Sequence, residues 1–233
     1  MKGRLYLIPS PLGDTPAADV LPASTLAAAL SLRCFVVEEV RTARRFLSSA
    51  GLKGQIDSLE FHTLNEPSTR SELEALCSLF EKGDVGLISE AGLPAVADPG
   101  AALVELCHRR GVEVVPLVGP SSLMLALMAS GLNGQSFAFR GYVSAKTEQR
   151  RSALRSLEKL SKDLCQSQII IETPYRNDSL FADMLQVLKG STRICVAADL
   201  TLPTAFIHTD TAARWAAHMP VIGKRPCVFI ILA

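Results

Sequence analysis

VGLISEAGLPAVADPG, residues 85–100, opens on a short apolar run, Val85-Gly86-Leu87-Ile88, and passes into a loop of small residues, Ser89 to Pro94. The loop ends at Asp98-Pro99. That pair is a helix-start signal, because an Asp side chain caps free N–H groups and a Pro ring fits the first helical turn. A strand that feeds a small-residue loop and then a helix is the unit from which open α/β sheets build ligand sites. A second unit follows at once. Val112 to Val115 runs into Pro116-Leu117-Val118-Gly119-Pro120-Ser121-Ser122, where an apolar helix is predicted. Two such loops in tandem point to one small-molecule pocket.

Working outward, Leu5–Ile8 and Cys34–Val37 are predicted strands, and 23–32 and 41–50 predicted helices, the second stopped by Gly51. Residues 53–68 read as irregular, and 71–82 as a helix ended by Gly83. Alternation of short apolar strands with helices argues for a mostly parallel sheet covered by helices. After the 121–130 helix a new set begins: strands at 137–139, 168–171, 194–198, 205–208 and 227–232, with helices at 147–162 and 178–188. Its last four strands have only one or two helices between them, which predicts antiparallel pairing. The expectation is two α/β domains, 1–117 with a mostly parallel sheet and 118–233 with a mixed sheet.

The 233 residues are 48% hydrophobic and 20% charged, as in a globular protein, and the net charge of +1 gives no global attraction to nucleic acid. No apolar run reaches membrane-spanning length, and the N-terminus enters a strand without a leader pattern, so a cytoplasmic protein with no membrane partner is expected. The six cysteines are at least 30 residues apart. That spacing has no CxxC pair and predicts no metal site, only reduced cysteines in apolar elements. The chain also lacks GxGxxG after its first strand and GxxxxGK[ST] anywhere, so a dinucleotide or P-loop reading has no phosphate cradle.

Six segments recur in order along nearly the whole chain: LYLIPSPLGD (5–14), EEVRTARRFL (38–47), LISEAGLPAVADPG (87–100), VVPLVGPSSLMLALMASGL (114–132), FRGYVSAK (139–146) and IIETPYR (170–176). In that order they resemble the tetrapyrrole methylase superfamily, and within it the branch of 16S ribosomal RNA cytidine 2′-O-methyltransferases. The resemblance implies S-adenosylmethionine (SAM) as cofactor, held in the cleft between the two domains. It implies cofactor contacts at Pro11, at Ala91, Gly92, Leu93 and Val96, at Ser121 and Ser122, and in the second domain at Thr173, Leu202 and Pro226. Many superfamily members carry Gly-Asp-Pro where this chain has Gly92-Leu93-Pro94, and the RNA-methylating branch also lacks that Asp. Members of that branch typically carry an additional C-terminal segment. A homodimer is a further implication.

The charged residues after the second predicted strand, Glu38, Glu39, Arg41, Arg44 and Arg45, suit either a solvated helix start or a substrate rim; Arg41 and Arg45, four apart, share a face. Residues 140–162 hold seven basic residues against two acidic ones. Lys146, Arg150 and Arg151 there suit RNA phosphates, and a solvated basic face is the alternative. Methyl transfer to a ribose hydroxyl needs the nucleophile aligned with the methyl carbon and a group to accept the proton. Candidates for the acceptor are Glu39, His62, Glu66 and Glu90. A methyltransferase of a porphyrinoid or other small molecule, and a non-catalytic SAM-binding protein, are the competing readings.

Overall fold

The computed structural model describes residues 3–64 and 69–233, and divides the chain into two compact units, Met1–Ser121 and Ser122–Ala233. Each is described by itself.

In chain order the first unit has β1 (Leu5–Ile8), α1 (Ala17–Val20), α2 (Ala23–Ser31), β2 (Cys34–Val37), α3 (Val40–Leu47), β3 (Glu60–Thr63), α4 (Arg70–Cys77), α5 (Leu79–Lys82), β4 (Val85–Ile88), α6 (Gly100–Arg110) and β5 (Val114–Pro116). Its sheet has the order β3-β2-β4-β1-β5 and every pairing in it is parallel. All four residues of β4 are buried, as expected of a central strand covered on both faces. Period-2 alternation sorts the strand residues into two cores. Phe35, Val37, Ile8 and Ile88 join Ala29, Ala43 and Phe46 from α2 and α3. Val36, Leu5, Val85 and Leu87 join Leu76, Phe80, Leu103 and Cys107 from α4, α5 and α6. Helices on opposite faces mean that the chain leaving β1 and the chain leaving β4 diverge. Where they part, the carboxyl ends of the strands leave a crevice.

Residues 53–68 are not wholly irregular, contrary to expectation. Ile56–Ser58 form a 3₁₀ turn, and β3 lies in register beside β2, with Cys34 opposite Glu60 and Val37 opposite Thr63. An edge strand meets solvent along much of its length, so its residues, Glu-Phe-His-Thr, carry little apolar signal. Phe61 stacks on Phe35 at 5.7 Å. The helix expected over 71–82 is interrupted at Ser78, whose hydroxyl donates to the Ala75 carbonyl at 2.8 Å and competes with the helical bonds. Helix α3 ends at Leu47 and widens into a π-type turn, Ser48–Leu52, in which Gly51 has φ 135°.

The second unit has α7 (Ser122–Ser130), β6 (Phe137–Tyr142), α8 (Thr147–Leu164), β7 (Ser167–Glu172), α9 (Asn177–Val187), β8 (Arg193–Ala198), β9 (Phe206–Thr211), α10 (Ala212–Ala217) and β10 (Cys227–Leu232). Its sheet has the order β6-β7-β10-β8-β9. β6 and β7 run parallel, and β10 pairs antiparallel with both β7 and β8, as does β8 with β9. The mixed sheet is therefore the expected one, with α10 added. One core joins Leu154, Leu180, Phe181, Met184 and Trp215 to Ile170, Val196 and Phe229. The Trp215 indole N–H reaches the Ile194 carbonyl at 2.9 Å, which fixes α10 on β8. Helix α7 packs against β8, β9 and β10. Among the described residues no helix is long and apolar enough to cross a membrane.

Candidate functional site

Three loops of the first unit meet at the carboxyl ends of β1, β4 and β5. Ser10, just past β1, exchanges two backbone hydrogen bonds with Gly92: its N–H donates to Gly92 O at 2.9 Å and its carbonyl accepts from Gly92 N at 3.1 Å. Its hydroxyl donates to the Ser89 carbonyl at 2.9 Å, inside a buried setting. Gly92 holds φ +77°, where a side chain would be strained, and an added Cβ would lie 3.2 Å from Leu12. After β5, Gly119 lies against Pro9 so closely that an added Cβ would come within 2.2 Å of it. Buried Thr25 of α2 donates to the Val118 carbonyl at 2.8 Å and holds that loop down.

A cavity of about 770 Å³ opens beside this knot, lined by Ser10, Pro11, Thr42, Arg45, Ser89 and Glu90 among others. Pro11, Arg45 and Glu90 are thus brought to one hollow. Ala91, Gly92, Leu93 and Val96 continue the loop, with Ala91 and Val96 exposed and Gly92 buried. Arg41 is exposed near the start of α3. Arg45 is exposed too, 4.0 Å from the Asp14 carboxylate.

The far part of the loop is strained. Ala95 has φ 64° and Ala97 φ 58°, each costing an L-residue roughly 1–2 kcal/mol. Asp98 holds this turn: its Oδ1 accepts from Ala95 N at 3.1 Å and from Gly100 N at 2.8 Å. Asp98 thus takes up one free N–H at the start of α6, that of Gly100, although the N-cap position itself falls on Pro99. Glu38, one residue beyond β2, accepts from the Glu90 N–H at 3.4 Å. Burial, then the neighbouring Asp98 carboxyl, push the Glu38 carboxyl up to about 7. Sequence reading passed over this pair because its members lie 60 positions apart and become neighbours only through the β2–β4 pairing.

The other acid–base candidates are placed differently. Glu39 caps α3, accepting from Arg41 N at 2.9 Å, and is committed to that bond. His62 sits on β3 with Nε2 2.8 Å from Glu60 Oε1. Cys34, Glu60 and His62 bring their ligand-type atoms within 4.8 Å of one another, which the chain spacing did not announce. Burial and the nearby Glu60 push the thiol up to about 11, so it is neutral at pH 7, and the Lys82 cation close by opposes a second positive charge there. Glu66 lies outside the described residues.

In the second unit, antiparallel pairing collects three chain ends. Cys227 of β10 stands opposite both Glu172 of β7 and Ala198 of β8. Thr173, Pro226 and the 199–202 turn therefore lie at one end of the mixed sheet. Asp199 N donates to Pro226 O at 3.0 Å, and Leu202 N to Asp199 O at 2.9 Å. Asp199 and Thr201 hold φ 52° and 71°. Thr173 N donates to Glu172 Oε1 at 2.6 Å, and Arg176 Nε donates to the Thr173 hydroxyl at 3.2 Å. Ser122 begins α7, and Ser121 immediately precedes it.

The basic segment is smaller than its sequence implies. Arg150 is 6% exposed, and its Nε donates to Asp183 Oδ2 at 2.7 Å. Arg151 Nε donates to Asp183 Oδ1 at 2.7 Å. Burial raises the Asp183 carboxyl, but the hydrogen bonds from Arg151 and Arg150 outweigh it and hold the group below the usual carboxylate range. Arg150 is therefore buried in this ion pair, while Arg151 shares the same carboxylate and stays partly exposed. Lys159 is paired with Asp163. Lys146, Arg155 and Lys162 stay exposed.

No family model matches the chain. The described fold resembles solved methyltransferases: CobJ at TM-score 0.65 and 15% identity, covering 99% of this chain and 94% of that one, and uroporphyrin-III C-methyl transferase from Thermus thermophilus, solved with S-adenosyl homocysteine, at 0.58 and 17%. That likeness shows the fold class, an α/β fold with one parallel and one mixed sheet. Sequence relatives go further. Ribosomal RNA small subunit methyltransferase I of Escherichia coli O157:H7 is 33% identical over 89% of this chain and 68% of that protein. Its namesake from Mesorhizobium japonicum is 31% identical over 94% and 70%, and that from Vibrio cholerae serotype O1 32% identical over 84% and 65%. The chain belongs to the ribosomal RNA small subunit methyltransferase I family, and spans about two thirds of the length of these relatives.

Proposed function

We propose that the protein methylates ribosomal RNA of the small subunit, at the 2′ oxygen of a cytidine, with SAM as donor. The observation that carries this reading is the family membership, since the relatives are named for that RNA. When bound, SAM supplies an activated methyl group on a good leaving group, so the protein's work is alignment and exclusion of water. The fit to this cofactor rests on the chemistry of the loops. They offer small side chains and backbone polar groups at strand ends, and no phosphate cradle. In the first unit Pro11, Ala91, Gly92, Leu93, Val96 and Ser121 are the proposed cofactor residues. In the second they are Ser122, Thr173, Leu202 and Pro226. Of the acid–base candidates in the described residues, Glu90 lines the cavity. Arg41, Arg45 and Lys146 are the exposed cations offered to RNA, and a homodimer is the proposed assembly.

The test uses tritium-labelled SAM with a cell extract split into RNA, protein and small-molecule fractions. Label in 16S RNA, at a cytidine whose neighbouring linkage resists alkali, is the expected result. Label in the small-molecule fraction would replace this reading with the porphyrinoid one. Binding of SAM at tens of micromolar with no label in any fraction would leave a binding protein.

A further inference from the structure

Three observations meet where β2 ends. First, Glu38 is half-buried, takes the Glu90 N–H at 3.4 Å, and has its carboxyl raised by burial and by the neighbouring Asp98 carboxyl. Second, Asp98 Oδ1 serves two backbone N–H groups, while its Oδ2 is buried and has no hydrogen-bond partner among the described residues. Third, the turn that Asp98 holds contains Ala95 and Ala97 in the left-handed region, which needs support to persist. Two carboxyls facing each other in a partly buried place do not both ionise, and one keeps a proton. The unpaired Oδ2 is the acceptor that such a proton requires.

We propose that Glu38 carries a proton that it donates to Asp98 Oδ2, and that this single proton locks the Ala95–Asp98 turn in the form that receives the cofactor. Glu38 is then a positioning residue for the cofactor loop. The cofactor half of this statement rests on the SAM reading above; the shared proton does not.

The charged groups that face Glu38 are Asp98 and Glu90, both acidic and both on the loop after β4. Next in the chain, Glu39 is bound to the Arg41 backbone. With the Glu38 carboxyl up at about 7, the lock is closed under mildly acid conditions and opens above neutrality. Stability drawn from this proton is full below the unfolded value, about 4.3, and is lost as pH rises through about 7. If only the protonated form binds, affinity scales with its population and falls roughly tenfold between pH 6 and pH 8.

The experiment compares wild type, Glu38→Gln and Glu38→Ala at pH 5.5 to 8.5, by melting temperature without ligand and by calorimetric titration with S-adenosylhomocysteine. Gln keeps a donor for Asp98 Oδ2 and an acceptor for the Glu90 N–H, but does not titrate. Expected is a wild type that loses melting temperature and affinity across neutrality. Glu38→Gln should stay flat at the wild-type pH 6 affinity, and Glu38→Ala should bind weakly throughout. Parallel pH profiles for wild type and Glu38→Gln would overturn the shared proton. Divergent melting profiles with no binding by any variant would retain the proton pair and reject the SAM reading. Binding with unchanged profiles would do the reverse.

Discussion

Removing the Asp183 carboxylate leaves two guanidiniums without their common partner, one of them buried. Breaking such a pair from one side costs about 3–5 kcal/mol, because the remaining charge is left desolvated. Asp183→Asn is expected to unfold at a correspondingly lower urea midpoint at pH 7, with the difference read from denaturation curves. The Asp183 carboxyl is held below its ordinary value, so its stabilisation is present above about pH 4 and fades as acid titrates it. The two curves should converge as pH falls through that range. A fixed difference at all pH values would mean the ion pair is not its source. The pairing of Arg150 and Arg151 could not be read from the sequence, because their acid lies 33 and 32 positions away, on α9, outside any local window.

Elements were legible where burial is two-sided. β4 and β10 are apolar throughout and read plainly as strands, since a central strand needs apolar residues on both faces. β3 was not legible, because one neighbour and a solvent edge leave Glu60 and His62 in the pattern; only Phe61 shows its contact with the core. α10 was missed because six residues are too few to show a period, and Trp215 anchors it by one long-range bond. The proposed cofactor loops were legible as glycine- and proline-rich punctuation, but the knot between Ser10 and Gly92 was not. Nothing local links positions 82 apart. α4 illustrates an end signal that reads directly: Thr69 and Glu72 form a capping box, with the Thr69 N–H reaching Glu72 Oε2 at 2.7 Å. Thr69→Ala is expected to cost about 1 kcal/mol, some 2–4 °C in melting temperature for a chain of this length. An unchanged melting temperature in calorimetry would show that this helix end frays freely.

For the whole molecule, a net charge of +1 makes the proposed RNA binding a matter of placement rather than bulk attraction. Each cation that meets a phosphate of single-stranded RNA contributes about 0.7 to the slope of log affinity against log salt. Lys146→Ala should therefore lower that slope by about 0.7 in filter binding to a 16S fragment. Arg151→Ala should leave it unchanged, because that guanidinium is engaged with Asp183. A drop for Arg151→Ala equal to that for Lys146→Ala would restore it to the RNA face.

Ala95 and Ala97 carry a last consequence, for engineering. Glycine would sit in both places without strain, yet alanine occupies them. Glycine would relieve the folded loop but enlarge the set of shapes open to the chain, unfolded or unbound, so in folding stability the two effects oppose each other. They do not oppose each other in the entropy of binding. A double glycine variant is expected to melt close to the parent while capturing its ligand with a larger entropic loss. The two methyl groups act as splints, spending a little folding energy so that the loop arrives already shaped.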